Sequence, residues 1–379
     1  MRADVVVIGG GVMGASTAFH LAEAGVDVLL AERDTLGSGS TSRAAGGVRT
    51  QFSDPVNIAL SVRSLELFAQ FGTRPGGEID LHRHGYLFLL DNPADVAEFT
   101  SSIALQNSLG VTGNRMLSVA EAVELSPPVS PNGLLAAAYS PGDGHCTPEA
   151  VVQGYARGAR RFGARILQHC SVTGISSSGG EITGVSTSSG FISTSTVVCT
   201  AGAWSSTVGD MVGVSLPVRP LRRQIRTTTP IPWLPPRLPL TIDFSSSFYF
   251  HLEGQGLLVG MSDPDEEFGY HTAVSDSWLE RLGEAVSLRA PRLAEVGLAR
   301  GWAGLYEVSP DHNAMVGEAP SVSRFLYATG FSGHGFQHGP AIGEVLRDLV
   351  LGHPPGIDVS ALDAQRFAGS AVRPEHNIV

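Results

Sequence analysis

An unbroken apolar run opens the chain and gives way to a set of glycines. Residues 5–8 are all β-branched, which predicts a fully buried parallel strand. Glycines follow at positions 9, 11 and 14, and residues 15–24 then repeat apolar side chains with helical spacing. A second apolar run at 26–31 ends in Glu32. The pattern predicts strand, glycine-rich turn, helix and second strand, in that order.

This order of elements is typical of a dinucleotide-binding unit. Gly9 would permit the tight turn, Gly11 the approach of backbone to a pyrophosphate, and Gly14 the close packing of helix on strand. The phosphates would lie at the helix N-terminus, where free N–H groups favour negative charge. Glu32 stands where an acid binds a ribose hydroxyl, which indicates FAD or NAD without choosing between them. A glycine-rich turn without a ligand is the alternative, and the surrounding strands count against it.

Further elements follow along the whole chain. Helices are predicted after the caps at residues 53–55, 118–121 and 147–149, over 277–289, and from Pro340 to the stop at Gly352. Strands are predicted at 86–90, within 164–198 between turns at 178–180 and 188–190, at 196–199, in a hairpin at 248–251 and 256–260, and at 324–330.

These elements predict two interleaved domains. The fold class is α/β combined with α+β: a Rossmann-like dinucleotide-binding domain interleaved with a substrate domain built on a mixed β-sheet. Residues 1–78, 141–215 and 318–379 are assigned to the first domain, and residues 79–140 and 216–317 to the second.

Composition narrows the classes of function. With 379 residues and 42% hydrophobic content, the chain can form two cores. We expect no membrane span and no secretory leader, since no apolar run is long enough and the first strand starts by residue 4. Three scattered cysteines suggest neither a disulfide framework nor a zinc site, so the cytoplasm is the expected compartment. A net charge of −11 argues against nucleic acid as a partner.

All 25 basic residues are arginines, and lysine is absent. Base composition that favours arginine codons would explain the absence of lysine. Whatever its cause, this absence has a chemical consequence. A fixed cation that binds a substrate must be an arginine, a protonated histidine or the N-terminus. His82 with His84 and His334 with His338 lack carboxylates at ligand spacing, so no metal is expected.

Two loops of small residues could lie against a ligand. Residues 37–49 combine glycine, serine and threonine with two arginines, directly before a well-capped helix. Residues 330–339 form a second glycine-rich loop that opens a helix, and hence a second place to hold negative charge. Two such sites predict a cofactor with phosphates at one end and an electron-rich ring at the other.

The chain resembles the FAD-dependent amino acid oxidoreductases of the D-amino acid oxidase and sarcosine oxidase superfamily. The resemblance covers nearly the whole chain and rests on residues 6–14, 32–33, 37–49, 200–204, 330–336, and Tyr306 with Pro310-Asp311. Residues 37–43 and 47–52 are most similar to the β-subunits of archaeal L-proline dehydrogenase and bacterial sarcosine oxidase.

The resemblance implies non-covalent FAD and a set of residues that hold it. These are Gly9, Gly11, Val12, Met13, Gly14, Glu32 and Arg33, with Val172 near the adenine; Ser40, Thr41, Ser42, Arg43, Gly46 and Gly47 along the ribityl chain and flavin; Ala201, Gly202 and Trp204; and Gly330, Ser332, Gly333, His334, Gly335, Phe336 and Gln337 at the pyrimidine edge. The helix near Pro340 would point its positive end at the ring carbonyl, which favours the reduced anion.

The resemblance also implies substrate residues. Arg49 matches the arginine that pairs with the substrate carboxylate, a task that suits a bidentate guanidinium, although a surface salt bridge would use an arginine equally well. Tyr249 and Tyr306 match positions that cover the substrate, although lone aromatics also serve as core. Gln337 stands where the family has a lysine that assists carboxylate binding.

The departures from the family pattern concern covalent flavin and oxygen. Gly304 replaces the cysteine that links flavin, and Ser140 replaces the histidine that links FMN. Leu258 and Gln337 replace lysines that assist oxygen activation and carboxylate binding. A dehydrogenase is therefore favoured over an oxidase, with O2 or another carrier as the electron acceptor.

The expected reaction is hydride transfer from the α-carbon or an N-methyl group of a neutral amine to flavin N5, which yields an imine. Proline-, sarcosine- or glycine-like molecules are the expected substrates. Three alternatives stay open: a flavin amine oxidase in a biosynthetic pathway, a subunit active only in a hetero-oligomer, and an NAD-dependent dehydrogenase.

Overall fold

The computed structural model describes residues 1–369 and 373–378. Its α-helices are α1 (Val12–Glu23), α2 (Pro55–Ala69), α3 (Pro93–Ser108), α4 (Val119–Leu125), α5 (Pro148–Arg161), α6 (Ser205–Asp210), α7 (Leu279–Arg289) and α8 (Gly335–Leu351). Its strands are β1 (Val5–Ile8), β2 (Val28–Ala31), β3 (Gly47–Val48), β4 (Tyr86–Leu90), β5 (Arg115–Leu117), β6 (Ala136–Ser140), β7 (Gly144–His145), β8 (Arg165–Leu167), β9 (Val172–Ser178), β10 (Glu181–Thr187), β11 (Gly190–Ser193), β12 (Thr196–Cys199), β13 (Arg219–Thr228), β14 (Leu240–Asp243), β15 (Tyr249–Glu253), β16 (Gly256–Met261), β17 (Leu298–Val308), β18 (Met315–Glu318) and β19 (Phe325–Thr329).

A six-stranded sheet with the order β18-β19-β12-β1-β2-β8 carries the N-terminal motif. All its pairs are parallel except β18 with β19. Val5 and Val7 pack in one core with helices α1, α5 and α8, while Val6 and Ile8 pack in another with the three-stranded sheet β11-β10-β9. Both faces of β1 are therefore buried, which explains why its sequence is apolar throughout.

A second, eight-stranded sheet has the order β17-β13-β16-β15-β14-β4-β6-β5. Its pairs are antiparallel except β14 with β4, so the sheet is mixed, as predicted. Strand β18 crosses the predicted domain boundary at 317/318 and pairs in the six-stranded sheet. The two-domain division itself stays a prediction.

Local signals in the sequence mark several elements correctly. Asp54 caps α2 by accepting from the Val56 N–H at 2.8 Å, and the capping box of Ser118 and Glu121 is formed at α4. The turn signals at 178–180 and 188–190 separate β9, β10 and β11. Caps and turns depend only on residues that are close in sequence, so they can be predicted from the sequence.

Two helices correct the expectations. Helix α8 begins at Gly335, not at Pro340, which lies inside it. A Cβ at Gly339 or Gly343 would come within 2.5 Å of Val12 or 2.1 Å of Ser16, so these glycines let α8 press against α1, and this packing outweighs the hydrogen bond that proline removes. Helix α3 was not predicted, although Asn92 caps it and Pro93 starts it.

Replacement of Gly14 by alanine should distort the glycine-rich turn between β1 and α1 and thereby weaken both the fold and FAD binding. A Cβ there would lie 1.9 Å from the Gly9 carbonyl oxygen, and backbone must move to admit it. We expect a loss of several kcal/mol in the free energy of unfolding, in the range of about 2–4 kcal/mol for overpacking and strain, together with loss of bound FAD. Urea unfolding and the flavin content of the purified protein measure both effects.

The matched control is Gly283→Ala in α7, where a Cβ meets open space. This variant should keep its FAD and gain up to about 1 kcal/mol from helix propensity. Equal FAD content in wild type and Gly14→Ala would contradict the close-packing explanation.

Buried histidines should make the protein less stable in acid. His145 stacks on His251 at 4.1 Å, and burial together with the neighbouring His251 lowers the pKa of His145 to about 2. Below the ordinary value of 6.5 the unfolded chain takes up a proton that the folded protein refuses, so stability falls as pH falls. This histidine alone should remove about 1.4 kcal/mol between pH 7.5 and 5.5.

Urea unfolding of wild type and His145→Asn at both pH values checks this effect. The difference in free energy between the two proteins should shrink towards pH 5.5, because the variant lacks this histidine. A difference that is independent of pH would show that His145 takes up its proton in the folded state.

Candidate active site

A cavity of about 550 Å³ lies between the six-stranded and the eight-stranded sheets. Ile8, Ala31 and Thr200 line it at the carboxyl ends of parallel strands, and Leu240 and Tyr249 line it from the larger sheet. Its volume falls within the range of about 300–1,000 Å³ that small-molecule sites occupy. The carboxyl ends of parallel strands are also where open α/β sheets bind ligands.

One end of the cavity is the first glycine loop. Gly9 has φ +105°, which L side chains rarely adopt, and a Cβ there would lie 2.4 Å from the Thr200 carbonyl oxygen. The Glu32 carboxylate accepts from the N–H groups of Gly10 at 2.6 Å and Asp34 at 2.8 Å. The acid is therefore fixed beside the loop and lines the cavity. This end of the cavity thus combines a glycine loop, the N-terminus of α1 and the fixed carboxylate of Glu32. These features fit the adenosine diphosphate half of FAD.

Near the same end, Arg33 stacks on an aromatic wall. Its guanidinium carbon lies 3.6 Å from the Trp204 ring centre. Val172, Ala201 and Gly202 also line this part of the cavity. The wall combines apolar surface with one cation, as a site for a purine and its phosphates requires.

The loop at residues 37–49 is held against strand β17. Ser40 Oγ donates to the Leu305 carbonyl at 2.6 Å, and Arg43 Nη1 donates to the Ala303 carbonyl at 2.7 Å. On the far side, His251 Nε2 lies 3.0 Å from the Ala45 carbonyl. The loop is thus fixed from two sides before any ligand binds.

The second glycine loop leads into α8 and closes the other end of the cavity. Glu307 is buried against it and accepts from Thr329 Oγ1 at 2.8 Å and the Gly330 N–H at 3.1 Å. Burial raises the pKa of Glu307 to about 7 despite these bonds. Burial and the Arg49 charge lower the pKa of His334 to about 3, so the residue before α8 is neutral and adds no charge to the positive end of the helix dipole.

Arg49 is a buried cation in the cavity wall. Its guanidinium lies 4.0 Å from the Phe52 ring centre and donates to the carbonyls of Gln51 and Asn377, the latter at 2.5 Å. Its backbone N–H donates to Gln337 Oε1 at 2.7 Å. Burial lowers the pKa of the guanidinium, although an arginine keeps its charge at neutral pH. Two of its five N–H donors bind partners within residues 1–369 and 373–378, and the other three have no partner in these ranges.

Asp143 lies near this arginine without neutralising it. The carboxylate is buried and accepts from the Thr50 N–H at 2.8 Å. Burial raises the pKa of Asp143 to about 6, and the Arg49 charge opposes that rise only weakly. No ion pair of 4.0 Å or less joins the Asp143 and Arg49 side chains. The contact of Asp143 is with Thr50, the residue after Arg49, and it holds the backbone there in place.

A strap formed by residues 373–378 covers Arg49. Glu375 is buried and accepts from the Ser53 N–H at 2.9 Å, the Asp54 N–H at 3.1 Å and Asn57 Nδ2 at 2.8 Å, at the start of α2. Burial pushes the pKa of Glu375 up, but these hydrogen bonds outweigh it and the pKa lies below its usual value. The strap brings Ile378 into the cavity wall.

Three tyrosines lie at the same end of the cavity as Arg49. Tyr86, Tyr249 and Tyr306 all line the cavity. Burial raises the pKa of each hydroxyl, so all three are neutral donors at physiological pH. Together with Arg49 they give a pocket with a cation, hydroxyl groups and aromatic faces.

The cavity gathers most of the residues singled out in the sequence. Those that line it are Gly9, Gly11, Val12, Met13, Glu32, Arg33, Ser40, Thr41, Arg43, Gly46, Gly47, Arg49, Val172, Ala201, Gly202, Trp204, Tyr249, Tyr306, Ser332, Gly333, His334, Gly335, Phe336 and Gln337. Gly14, Ser42 and Gly330 lie behind its wall instead. The sequence did not single out Tyr86, Arg223, Glu307 and Ile378, which also line it.

Fold and cavity define a dinucleotide-binding protein of the kind that holds a nucleotide at one end and a reactive ring at the other. The chain belongs to the FAD-dependent oxidoreductase family (DAO), whose profile matches residues 4–349. The predicted superfamily and fold class, and FAD as the cofactor, are thereby confirmed.

Similar proteins extend this finding. Mouse mitochondrial dimethylglycine dehydrogenase is 32% identical over 97% of this chain, which covers 44% of the relative. The chain thus spans less than half the length of that relative. The L-proline dehydrogenase of P. horikoshii has a TM-score of 0.91 at 32% identity, with 97% of this chain and 98% of that one covered. The glycine oxidase of Geobacillus kaustophilus has a TM-score of 0.86 at 25% identity, with 96% and 99% covered.

Two further observations bear on the surroundings of the protein. Within residues 1–369 and 373–378, no helix is long and apolar enough to cross a bilayer. In the same ranges, no group of three or more histidine, cysteine and acidic side chains is arranged to hold a metal ion.

Exchange of Glu375 for glutamine should release the strap. An amide places N–H groups where the carboxylate accepts hydrogen bonds, and buried donors of α2 lose their partners. We expect a loss of about 2 kcal/mol in the free energy of unfolding and faster amide exchange in residues 373–378.

His376→Gln is the matched control, since that side chain is exposed on the same strap. It should change neither quantity. Unaltered exchange in Glu375→Gln would mean that Glu375 does not anchor the strap.

Proposed function

We propose that this protein oxidises the C–N bond of a small amino acid, or of a secondary or N-methyl amine, to an imine. Proline-, sarcosine- or glycine-like molecules are the substrate class. Support comes from one observation above all: in a family of FAD-dependent oxidoreductases, a buried arginine lines a cavity together with neutral tyrosines. Only two of the five donors of this arginine have partners among the described residues. The names of the similar proteins, a dimethylglycine dehydrogenase, an L-proline dehydrogenase and a glycine oxidase, agree with it.

Arg49 would bind and orient the substrate carboxylate. Gln337 holds the Arg49 backbone and the strap carbonyl holds its side chain, so the guanidinium is fixed before a ligand arrives. A fixed guanidinium binds a carboxylate in one orientation and thereby sets the direction of the adjoining C–N bond. Tyr249 and Tyr306 would cover the substrate and exclude water.

The same surroundings would keep the substrate amine neutral. Burial and the nearby Arg49 charge both disfavour an ammonium, and the amine must lose its proton before it can form an imine. FAD, when bound, supplies the two-electron acceptor. The first glycine loop, Glu32 and Arg33 would hold its adenosine diphosphate, and residues 40–47 and 332–337 its ring.

A dehydrogenase is the favoured form, with flavin bound non-covalently and a carrier or O2 as acceptor. No lysine is available to activate oxygen, and Gly304 offers no sulfur for a link to flavin. The cytoplasm is the proposed location, which the three free and buried cysteines support. A hetero-oligomeric complex is the alternative, and flavin reduction in the isolated chain tests it.

Replacement of Arg49 by alanine should weaken binding of amino acid substrates. Loss of a charge-assisted bidentate contact costs about 1.5–3 kcal/mol, which is about 10- to 150-fold in kcat/KM. The measurement is anaerobic bleaching of the flavin by stopped flow, with glycine derivatives, prolines, and D- and L-amino acids.

Arg115→Ala serves as the control, because that arginine is exposed on β5 and outside the cavity. FAD content and melting temperature are measured in parallel, since Arg49 also holds backbone carbonyls. An unchanged reduction rate and KM in a folded, FAD-loaded Arg49→Ala protein would refute the carboxylate assignment.

A further inference from the structure

Four arginines line the cavity: Arg33, Arg43, Arg49 and Arg223. Within residues 1–369 and 373–378, none of them has a carboxylate within 4.0 Å, although most other arginines do. Arg33 stacks on Trp204, while Arg43 and Arg49 donate to backbone carbonyls. Arg223 is the one that the site described above does not use.

Two other arginines of strand β13 have carboxylate partners. Arg222 binds Glu266 at 2.9 Å, and Arg226 binds Asp276. Among the residues that the structure describes, Arg223 makes a single hydrogen bond, from Nη1 to the Arg222 carbonyl at 3.2 Å, and its buried Nε has no partner. The chain carries 36 acidic residues against 25 arginines, so acids are plentiful. A guanidinium that faces the cavity unpaired is therefore ready to bind an anion that the protein does not supply.

Arg223 lies at the substrate end of the cavity. Its guanidinium carbon is 5.3 Å from the Tyr306 ring centre. The charges of Arg223 and Arg49 both lower the pKa of the Tyr306 hydroxyl, against the larger effect of burial, so both cations lie near this tyrosine. The phosphates of FAD would lie at the other end, on the first glycine loop, so they do not account for Arg223.

We infer that Arg223 is a specificity-determining residue that binds a second acidic group of the substrate, which makes an amino acid with two carboxylates the preferred substrate. This inference rests on the proposed function, in which Arg49 binds the first carboxylate. A site with a cation waiting for a substrate group discriminates strongly against molecules that lack that group, because the cation is then left unpaired.

Binding of simple acids tests the inference without any turnover. FAD-loaded protein is titrated with malonate, succinate, glutarate and adipate, and with monocarboxylates of the same chain lengths, and the flavin absorbance is followed. The best diacid should bind wild type at least about tenfold more tightly than its monoacid partner, as one added charge-assisted contact gives. Arg223→Gln should abolish that advantage and leave monoacid affinity within about twofold, because Arg49, which would hold the single carboxylate, is left in place.

Two variants control for charge and fold. Arg219→Gln removes the same charge from the same strand outside the cavity and should keep the diacid advantage. Arg223→Lys keeps the positive charge but loses the bidentate geometry of the guanidinium, so it should keep part of the diacid advantage. Turnover follows with N-methyl-L-aspartate against N-methyl-L-alanine, whose ratio of kcat/KM should fall at least about tenfold in Arg223→Gln.

The outcomes separate this inference from the proposed function. Equal affinity of wild type for diacids and monoacids, or a diacid advantage that survives in Arg223→Gln, overturns the role of Arg223, while flavin reduction by monocarboxylic amino acids would leave the proposed function intact. Absence of flavin reduction by every amino acid in the panel overturns the proposed function itself.

Discussion

The site depends on a close approach between two backbones, that of Gly9 at the end of β1 and that of Thr200 at the end of β12. Thr200 donates from its N–H and its hydroxyl to the Ile8 carbonyl, both at 2.9 Å, and no side chain fits between them at Gly9. This contact fixes the first glycine loop on the sheet. It also brings the segment after β12, with Trp204, to the same cavity. The nucleotide end is thus formed by two segments nearly two hundred residues apart, joined through one glycine.

Parts of the fold that depend on neighbouring residues could be predicted from the sequence. The βαβ unit, the caps of α2 and α4, and the turns between β9, β10 and β11 each need only a local pattern. The start of α8 could not be predicted in this way. Its first turn is helical because glycines on α8 fit against α1, and that contact joins residues more than three hundred positions apart. The prediction that α8 starts at Pro340 was therefore wrong, because the helix begins at Gly335.

The cavity shows the same division. Residues that belong to a recognisable motif, such as Glu32, Arg49 and His334, can be identified from the sequence. Tyr86, Arg223, Glu307 and Ile378 belong to no motif, and each reaches the cavity through sheet pairing or through the path of the strap. One signal was available for Arg223: it directly follows Arg222 on β13, and successive side chains of a strand point to opposite faces of the sheet. Its meaning becomes clear only when the partners of Arg222 and Arg226 are seen.

Charge distribution connects these observations. The protein carries a net charge of −11, yet four arginines line its cavity, and none of them has a carboxylate partner in the part of the chain that the structure describes. Pairing each with a buried acid would have been an alternative way to stabilise them, but an internal pair would have no charge left for a ligand. The arginines are held instead by carbonyls and aromatic faces, which fix the guanidinium and leave its charge uncompensated. Acidic side chains line the same cavity at Glu32, Asp34 and Glu307, so the uncompensated positive charge is local to each arginine. In the function proposed above, the phosphates of FAD would lie at the glycine loop and a substrate carboxylate would lie at the tyrosines.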